Sequence, residues 1–287
     1  MNSLLSKLEE WIKEALIGGI TENFQSLFDS VNEQAGTIAA QVGQTPEAWN
    51  SGVFAMIRNL SDNVIIPIAG IILTLVLCYE FIQMILERNN MAEFDTFQIY
   101  KWIFKTFVAT YILTHTFDIV MAVFDLAQHV VNGSAGIISG SLNISPAMDT
   151  LAETLESMEW YSLLGLYFES TIIGFTIKAL AIGIFIVIYG RMLQIYLTVS
   201  VAAIPFATMV NREWGQMGQN YLKGLLALAF QGFLVMVCVA IYSVLVQTIV
   251  YSDNIHAGIW MCVAYTVLLF FSLFRTGSLS KSIFGSH

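Results

Sequence analysis

The chain has 287 residues, of which 56% are apolar and only 11% are charged, and this leaves too little polar surface for a soluble globular protein. Several apolar runs exceed the roughly 18 residues that a membrane-spanning helix needs, so we expect an all-α, polytopic membrane protein. The net charge of −9 argues against nucleic-acid binding at a soluble face. The three cysteines lie inside apolar runs, which predicts buried thiols and no disulfide framework.

Amphipathic helices are predicted for residues 1–63. Residues 4–16 place apolar side chains on one helical face and charged side chains on the other, and Gly18 and Gly19 predict the end of that helix. Pro46 stands where the first residue of a further helix is expected. These helices are too polar to cross a bilayer. We expect them to pack against protein outside the cytoplasm, and helices lying on the membrane surface are the alternative.

Two crossings are predicted within residues 64–124. The first covers 64–86 and the second covers about 104–124, with a short polar connector between them. The second crossing carries a polar stripe, which predicts contact with other helices or a cavity instead of lipid. The stripe consists of Thr106, Thr110, Thr114, His115 and Asp118.

Residues 125–170 are predicted to form a large loop outside the cytoplasm. The loop begins with a Gly/Ser-rich stretch, and Ser145 followed by proline predicts the start of a helix. Residues 106–177 contain neither lysine nor arginine, and such segments lie outside under the positive-inside rule. The connector between the first two crossings carries Arg88 and Lys101, which places it inside.

The apolar stretch 171–209 is the longest in the chain and contains Lys178, Arg191 and Pro205. As one straight helix it would be about 58 Å long, whereas a bilayer core is about 30 Å thick. The stretch is therefore expected to break, either at Gly190 or at Pro205, because proline removes an amide donor and disfavours helix in the residue before it.

The segment near 192–209 is predicted to be broken or re-entrant on the inner side, since all later cations then lie in the cytoplasm. A full crossing by this segment is the alternative. Two further crossings follow at 225–250 and 257–274, completing a carboxyl-terminal bundle over 171–274. The tail 275–287 is expected in the cytoplasm. The result is five crossings, with the amino end outside and the carboxyl end inside.

Two intramembrane charge pairs are predicted from helix geometry. Asp118 and Lys178 both fall about 10 Å from the outer interface, where an unpaired charge costs about 3 kcal/mol or more. We expect them to neutralise each other within or between subunits, and a substrate or ion pathway is the alternative. Glu80 and Arg191 fall near the inner interface and form a second candidate pair. Arg191 extending to lipid phosphate is the alternative there.

Catalytic and cofactor motifs are absent from the sequence. It contains no HExxH, P-loop, GxSxG or dinucleotide fingerprint. His115 and Asp118 have the i, i+3 spacing of metal ligands, but two ligands without a third predict a hydrogen-bonded histidine. We therefore expect no catalytic residue, no cofactor and no metal, and we expect the chain not to be an enzyme.

The run from Gly190 to Gly232 carries a resemblance to a known family. It reads GRMLQIYLTVSVAAIPFATMVNREWGQMGQNYLKGLLALAFQG. An arginine after an apolar helix, an Ala-x-Pro break at 203–205, a polar NREW segment and a helix rich in Leu and Ala make it similar to the TrbL/VirB-six family. These proteins are polytopic membrane subunits of type IV secretion systems, and this version resembles those of conjugative elements in Gram-positive bacteria.

The resemblance implies an extracytoplasmic amino end, about five crossings, a large central outer loop and a cytoplasmic carboxyl end. It also implies a non-enzymatic channel or scaffold subunit in the bacterial cytoplasmic membrane that helps move DNA–protein substrates. Expected partners are further copies of the chain, other membrane subunits and ATPases, without stable nucleic-acid binding. A secondary transporter for a small solute is the rival hypothesis, but such transporters usually carry paired broken helices, and only one is predicted here.

Overall fold

The computed structural model describes residues 2–86, 96–138, 145–249 and 255–286. Within these ranges the chain is helical apart from short turns and has no strand, which confirms the all-α class. The helices are α1 (Asn2–Val42), α2 (Pro46–Trp49), α3 (Ser51–Leu60), a π-helical turn (Ser61–Ile65), α4 (Ile66–Leu86), α5 (Thr96–Thr114), α6 (Thr116–Ile138), α7 (Ser145–Ser157), α8 (Trp160–Ser200), α9 (Ala203–Thr208), α10 (Gly215–Ile249) and α11 (Ile255–Phe284).

The described helices include four that are long and apolar enough to cross a membrane, and five if the bent pair α5–α6 counts as one crossing. This confirms a polytopic membrane protein. The predicted crossing 64–86 lies at the end of a continuous helix, Ser51–Leu86, that begins before it. The other three long helices are Trp160–Ser200, Gly215–Val246 and Trp260–Phe284.

The crossing predicted for 104–124 is bent by 67° around His115. Thr114 Oγ1 donates to the carbonyls of Thr110 and Tyr111, and the buried Thr116 Oγ1 donates to those of Ile112 and Leu113. Hydroxyls that bond to the preceding turn compete with the backbone and often bend helices. Thr106 and Thr110 make the same kind of bond. The polar stripe therefore satisfies its hydroxyls largely on its own helix.

Two predicted helix breaks are wrong. Helix α1 continues through Gly18 and Gly19. Gly19 makes room for the ring of Tyr167, since a Cβ there would lie 2.7 Å from the Cε2 atom of Tyr167. Helix α8 continues through Gly190 as far as Ser200, so residues 192–200 belong to this helix and not to a separate re-entrant piece. Nothing in the described structure lies within 4 Å of a Cβ placed at Gly190, and glycine in a helix interior weakens the helix without ending it.

The chain leaves α8 at Val201 and Ala202, and Pro205 lies inside the short helix α9. Residues 125–170, expected as a loop, are mostly helical. Helix α6 extends to Ile138, α7 begins at the predicted Ser145, and α8 already begins at Trp160. The Gly/Ser-rich part of that segment lies partly outside the described residues.

The chain divides into two compact units whose boundaries fall inside long helices. The first comprises residues 1–42, 133–188 and 234–275, and the second comprises 43–132, 189–233 and 276–287. In the first unit, α1 packs beside α7 and the start of α8: Lys13 donates to the carbonyl of Glu156, and Asn23 donates to Ser170. Buried apolar side chains of these helices form its core, including Ile20, Phe24, Leu155, Leu163, Leu166 and Ile173.

The second unit has two apolar clusters. One joins α6, α8, α9 and α10 through buried residues that include Phe117, Val120, Met192, Ile195, Phe206 and Leu225. The other joins α4, α5 and α9 through residues that include Ala69, Leu73, Leu113, Ala203 and Ala207. The alanines let α9 pack closely against α4. This unit also carries most of the charged groups singled out in the sequence.

Candidate functional site

Charged and polar side chains of the second unit gather at three places: the turn between α9 and α10, the bend between α5 and α6, and a buried niche around Arg191. Each is built from helices that apolar packing already holds in place. The first includes the NREW segment, residues 211–214, which is one of the features that carry the sequence resemblance.

Asn211 organises the turn that leads into α10. The residue is only 2% exposed, and its Oδ1 atom accepts hydrogen bonds from the backbone amides of Glu213, at 2.7 Å, and Trp214, at 3.2 Å. The amide of Gly215 donates to the Asn211 carbonyl at 2.8 Å. Amides at the start of a helix lack intrahelical partners, and a buried side-chain oxygen supplies one here.

Glu213 and Trp214 then fix this turn to the end of α4. Tyr79 Oη and Gln83 Nε2 each donate to the Glu213 carboxylate at 3.2 Å, and Gln83 also donates to Tyr79 Oη at 2.9 Å. The rings of Tyr79 and Trp214 are stacked, with centroids 5.5 Å apart. We call these four residues, Tyr79, Gln83, Glu213 and Trp214, the NREW latch. Sequence analysis noted the motif but missed its partners on α4.

Glycines allow α9 and α10 to approach each other closely. A Cβ on Gly218 would lie 2.5 Å from the Pro205 carbonyl oxygen and would overlap the side chain of Met209. A Cβ on Gly215 would lie 3.2 Å from the Met209 carbonyl oxygen. The contact at Gly218 involves backbone and cannot be relieved by turning a side chain. The turn from α9 into α10 is therefore a tightly packed element of the second unit.

Glu80 does not pair with Arg191, as the sequence had suggested. Its carboxylate forms a salt bridge with Lys105 of α5, and its side chain is 22% exposed. The two helices are neighbours, so a cation at the start of the predicted second crossing reaches the carboxylate near the end of the first. Sequence analysis did not identify Lys105 as the partner of Glu80.

Asp118 forms a salt bridge with Arg58 at the bend between α5 and α6. Arg58 Nη2 lies 2.9 Å from Asp118 Oδ1, and Arg58 Nε lies 3.8 Å from Asp62 Oδ2. The guanidinium also lies over the ring of Phe117, 5.4 Å from its centroid. Both partners of the shorter bridge are about half exposed, with 47% and 58% of the side chains accessible. Sequence analysis did not consider Arg58.

Lys178, the predicted partner of Asp118, belongs to the first unit, so that pairing stays a prediction. Its side chain is exposed on α8, among exposed apolar side chains that include Phe175 and Ile182. His115, the other polar residue near the bend, stacks on Tyr111, and its Nδ1 lies 3.0 Å from the Tyr111 carbonyl oxygen. Across the described ranges, no three His, Cys, Asp or Glu side chains come together as a metal site would require.

Arg191 is buried within the second unit and is only 8% exposed. Its guanidinium packs against α10 at Gly232: a Cβ on that glycine would lie 2.8 Å from Nη2 and 3.3 Å from Val131 of α6. Its Nε atom is buried, and no described residue accepts a hydrogen bond from it. The arginine is therefore an interior cation, not one that extends along the helix to the surface.

Comparison with known proteins identifies one family. A family model described as TrbL/VirB6 plasmid conjugal transfer like protein matches residues 31–203, which is more than half of the chain. The match includes Asp118, Lys178 and Arg191, and it ends before the NREW segment. Neither the curated proteins nor the solved structures contain a match to this chain.

Proposed function

We propose a channel or scaffold role for this chain, which belongs to the TrbL/VirB6 plasmid conjugal transfer like family. In this role it helps move DNA–protein substrates across the bacterial cytoplasmic membrane. Family membership makes it a component of a conjugal transfer, type IV secretion apparatus, and its apolar helices make it a multi-pass membrane protein. The observation that carries the proposal is this family match on a chain with up to five membrane-crossing helices.

The proposed orientation has the amino end outside and the carboxyl end in the cytoplasm. It is supported by the charge distribution, because residues 106–177 lack lysine and arginine, whereas the turn after α9 carries Arg212 and the end of α11 carries Arg275 and Lys281. If α8 crosses inward, α10 crosses outward and α11 crosses inward again, Arg212 and Lys281 lie on the same side of the membrane. An odd number of crossings then separates the two ends of the chain.

A role in the transfer path, beyond a scaffold, is supported by Lys178. This lysine is exposed on α8 between Phe175 and Ile182, which are themselves 76% and 64% exposed. An ammonium group on a lipid-facing apolar surface is costly, whereas the same group facing a polar path or another subunit is not. We infer that this face of α8 faces another copy of the chain or the translocating substrate. Other membrane subunits and the ATPases of the machine are the further proposed partners.

The chain is proposed to act without catalysing a reaction. The rival hypothesis of a small-solute transporter was disfavoured by the presence of a single predicted break. The bend between α5 and α6 adds a second interrupted helix to the one at Val201, so this argument no longer separates the two functions. The family assignment favours conjugal transfer, and an experiment on DNA contact distinguishes the two directly.

The test is photo-crosslinking during mating. Donor cells that lack the chain are complemented with variants carrying a photo-crosslinking amino acid at position 178 or, as a control, at Ile71, an exposed apolar residue of α4. The proposal predicts that deletion abolishes transfer and that transferring DNA is captured at 178 and not at 71. Unchanged transfer after deletion would overturn it. Loss of transfer without DNA capture at 178 would restrict the chain to a scaffold role.

A further inference from the structure

The charge of Arg191 is not balanced within the described part of the molecule. A guanidinium remains protonated at any physiological pH, so burial cannot neutralise it. The residue is 8% exposed, its Nε atom has no acceptor among the described residues, and its neighbours include Gly232 and Val131. A buried charge without a partner is strongly unfavourable, which indicates that a counter-ion comes from elsewhere.

The carboxylates described in the second unit do not fill this role. Asp62 and Asp118 lie with Arg58, and Glu80 lies with Lys105. Glu213 accepts hydrogen bonds from Tyr79 and Gln83. The two remaining described carboxylates of this unit, Glu47 and Asp125, are exposed, and no salt bridge links either of them to Arg191. The partner of Arg191 is therefore an anion that this part of the chain does not itself provide.

We propose that Arg191 is the binding site for a phosphate oxyanion, supplied by the headgroup of an anionic phospholipid or by free phosphate. The planar guanidinium presents a fork of N–H donors that matches two phosphate oxygens, a geometry that lysine lacks. Basic pockets between membrane helices are known to hold anionic headgroups. Burial of the guanidinium strengthens the attraction, because a low local dielectric screens it little. This site is independent of the proposed transfer role.

Gly232 supplies the space for the guanidinium. A side chain at this position would place its first carbon 2.8 Å from Nη2, closer than such contacts normally allow. The glycine therefore lets α10 approach α8 with the arginine between them. The proposed site requires access for an oxyanion, and 8% of Arg191 stays exposed. Substitution of Gly232 by alanine is expected to displace the guanidinium and weaken binding without removing the charge.

The experiment measures thermal unfolding of the purified full chain in a mild detergent. The added probes are phosphatidylglycerol, phosphatidylcholine, and inorganic phosphate without lipid. The variants are Arg191→Gln, Arg191→Lys and Gly232→Ala, with Arg58→Gln as the control because Arg58 is an exposed arginine that already has carboxylate partners. A ligand well above its Kd is expected to raise the midpoint by about 3 °C or more.

The proposal predicts that phosphatidylglycerol raises the midpoint more than phosphatidylcholine does. Arg191→Gln should lose this difference, Arg191→Lys should lose at least half of it, and Arg58→Gln should keep it. An equal rise with inorganic phosphate alone assigns the site to a free anion. If Arg191→Gln fails to fold, Arg191→Lys and Gly232→Ala decide the result. An undiminished lipid effect in both of these, or no effect in the native chain, would overturn the proposal.

Discussion

The rings of Tyr79 and Trp214 are stacked, with centroids 5.5 Å apart and planes only 3° from parallel. Tyr79 belongs to α4, whereas Trp214 ends the polar turn before α10. Their contact, together with the hydrogen bonds to Glu213, joins segments that are 130 or more residues apart in the chain. The NREW segment thus connects the turn into α10 with helix α4.

Removal of the stacked rings tests this connection. Stacked aromatic pairs contribute about 0.5 to 1.5 kcal/mol beyond the area they bury. A double-mutant cycle of Tyr79→Ala and Trp214→Ala should therefore give a coupling energy of about 1 kcal/mol in the free energy of unfolding, measured by SDS titration in mixed micelles. Tyr79→Phe is the matched control, because it removes the hydroxyl and keeps the ring. Additive effects of the two alanine substitutions would contradict the contact.

Two glycines of α10 form a second, internally controlled test. Gly218→Ala should destabilise the protein by about 1 to 3 kcal/mol, because the new methyl group meets the Pro205 carbonyl and the Met209 side chain. Gly224→Ala meets nothing within 4 Å and should be neutral or stabilise by up to about 1 kcal/mol, since alanine favours helix. The same unfolding assay compares both. Equal effects would show that the α9–α10 contact is not as close as described.

Charge reversal identifies the partner of Asp118. Asp118→Arg should lower the free energy of unfolding by about 1 kcal/mol or less, because the bridge with Arg58 is half exposed. Adding Arg58→Asp should restore that loss. A parallel arm combines Asp118→Lys with Lys178→Asp, the exchange that follows from the sequence. Rescue confined to the Lys178 arm would contradict the bridge with Arg58 and would favour the sequence-based pairing.

The membrane helices could be predicted because a helix needs about 20 successive apolar residues to cross the hydrocarbon core of a bilayer. The first crossing was expected over residues 64–86, and α4 covers Ile66–Leu86 within the described residues. The bend at His115 was not predicted, because the threonine stripe was expected to face other helices or a cavity, whereas its hydroxyls bond to their own helix. The break predicted at 203–205 lies next to the observed one, since the chain leaves α8 at Val201 and Ala202. Val201 and Ala202 are ordinary helical residues, whereas Gly190 looked like a break and is not one.

The charge pairs were less predictable than the helices. Sequence position places an ionisable residue at a depth in the membrane, but the identity of its neighbour depends on which helices pack together. Glu80 meets Lys105, and Asp118 meets Arg58, a residue that seemed to belong to a separate amphipathic helix. The continuity of Ser51–Leu86 places Arg58 on the same long helix as the first crossing. The depth of Asp118 in the membrane does not by itself identify Arg58 as its partner.

Sidedness is the claim on which the remaining account depends, and thiol labelling in intact cells tests it directly. In a chain with Cys78, Cys238 and Cys262 replaced, single cysteines are placed at positions 140, 212 and 282. Arg212 and Ser282 are exposed, whereas their neighbours Asn211 and Ser280 are buried at 2% and 1% exposure and would not react. The reagent is a maleimide that does not cross membranes.

The account predicts labelling from outside at position 140 only, with positions 212 and 282 reacting after the membrane is permeabilised. That pattern requires α8 to cross once and the turn through α9 to stay on the inner side. Labelling of position 212 in intact cells would contradict the account, because the turn before α10 would then lie outside and every later crossing would be reversed.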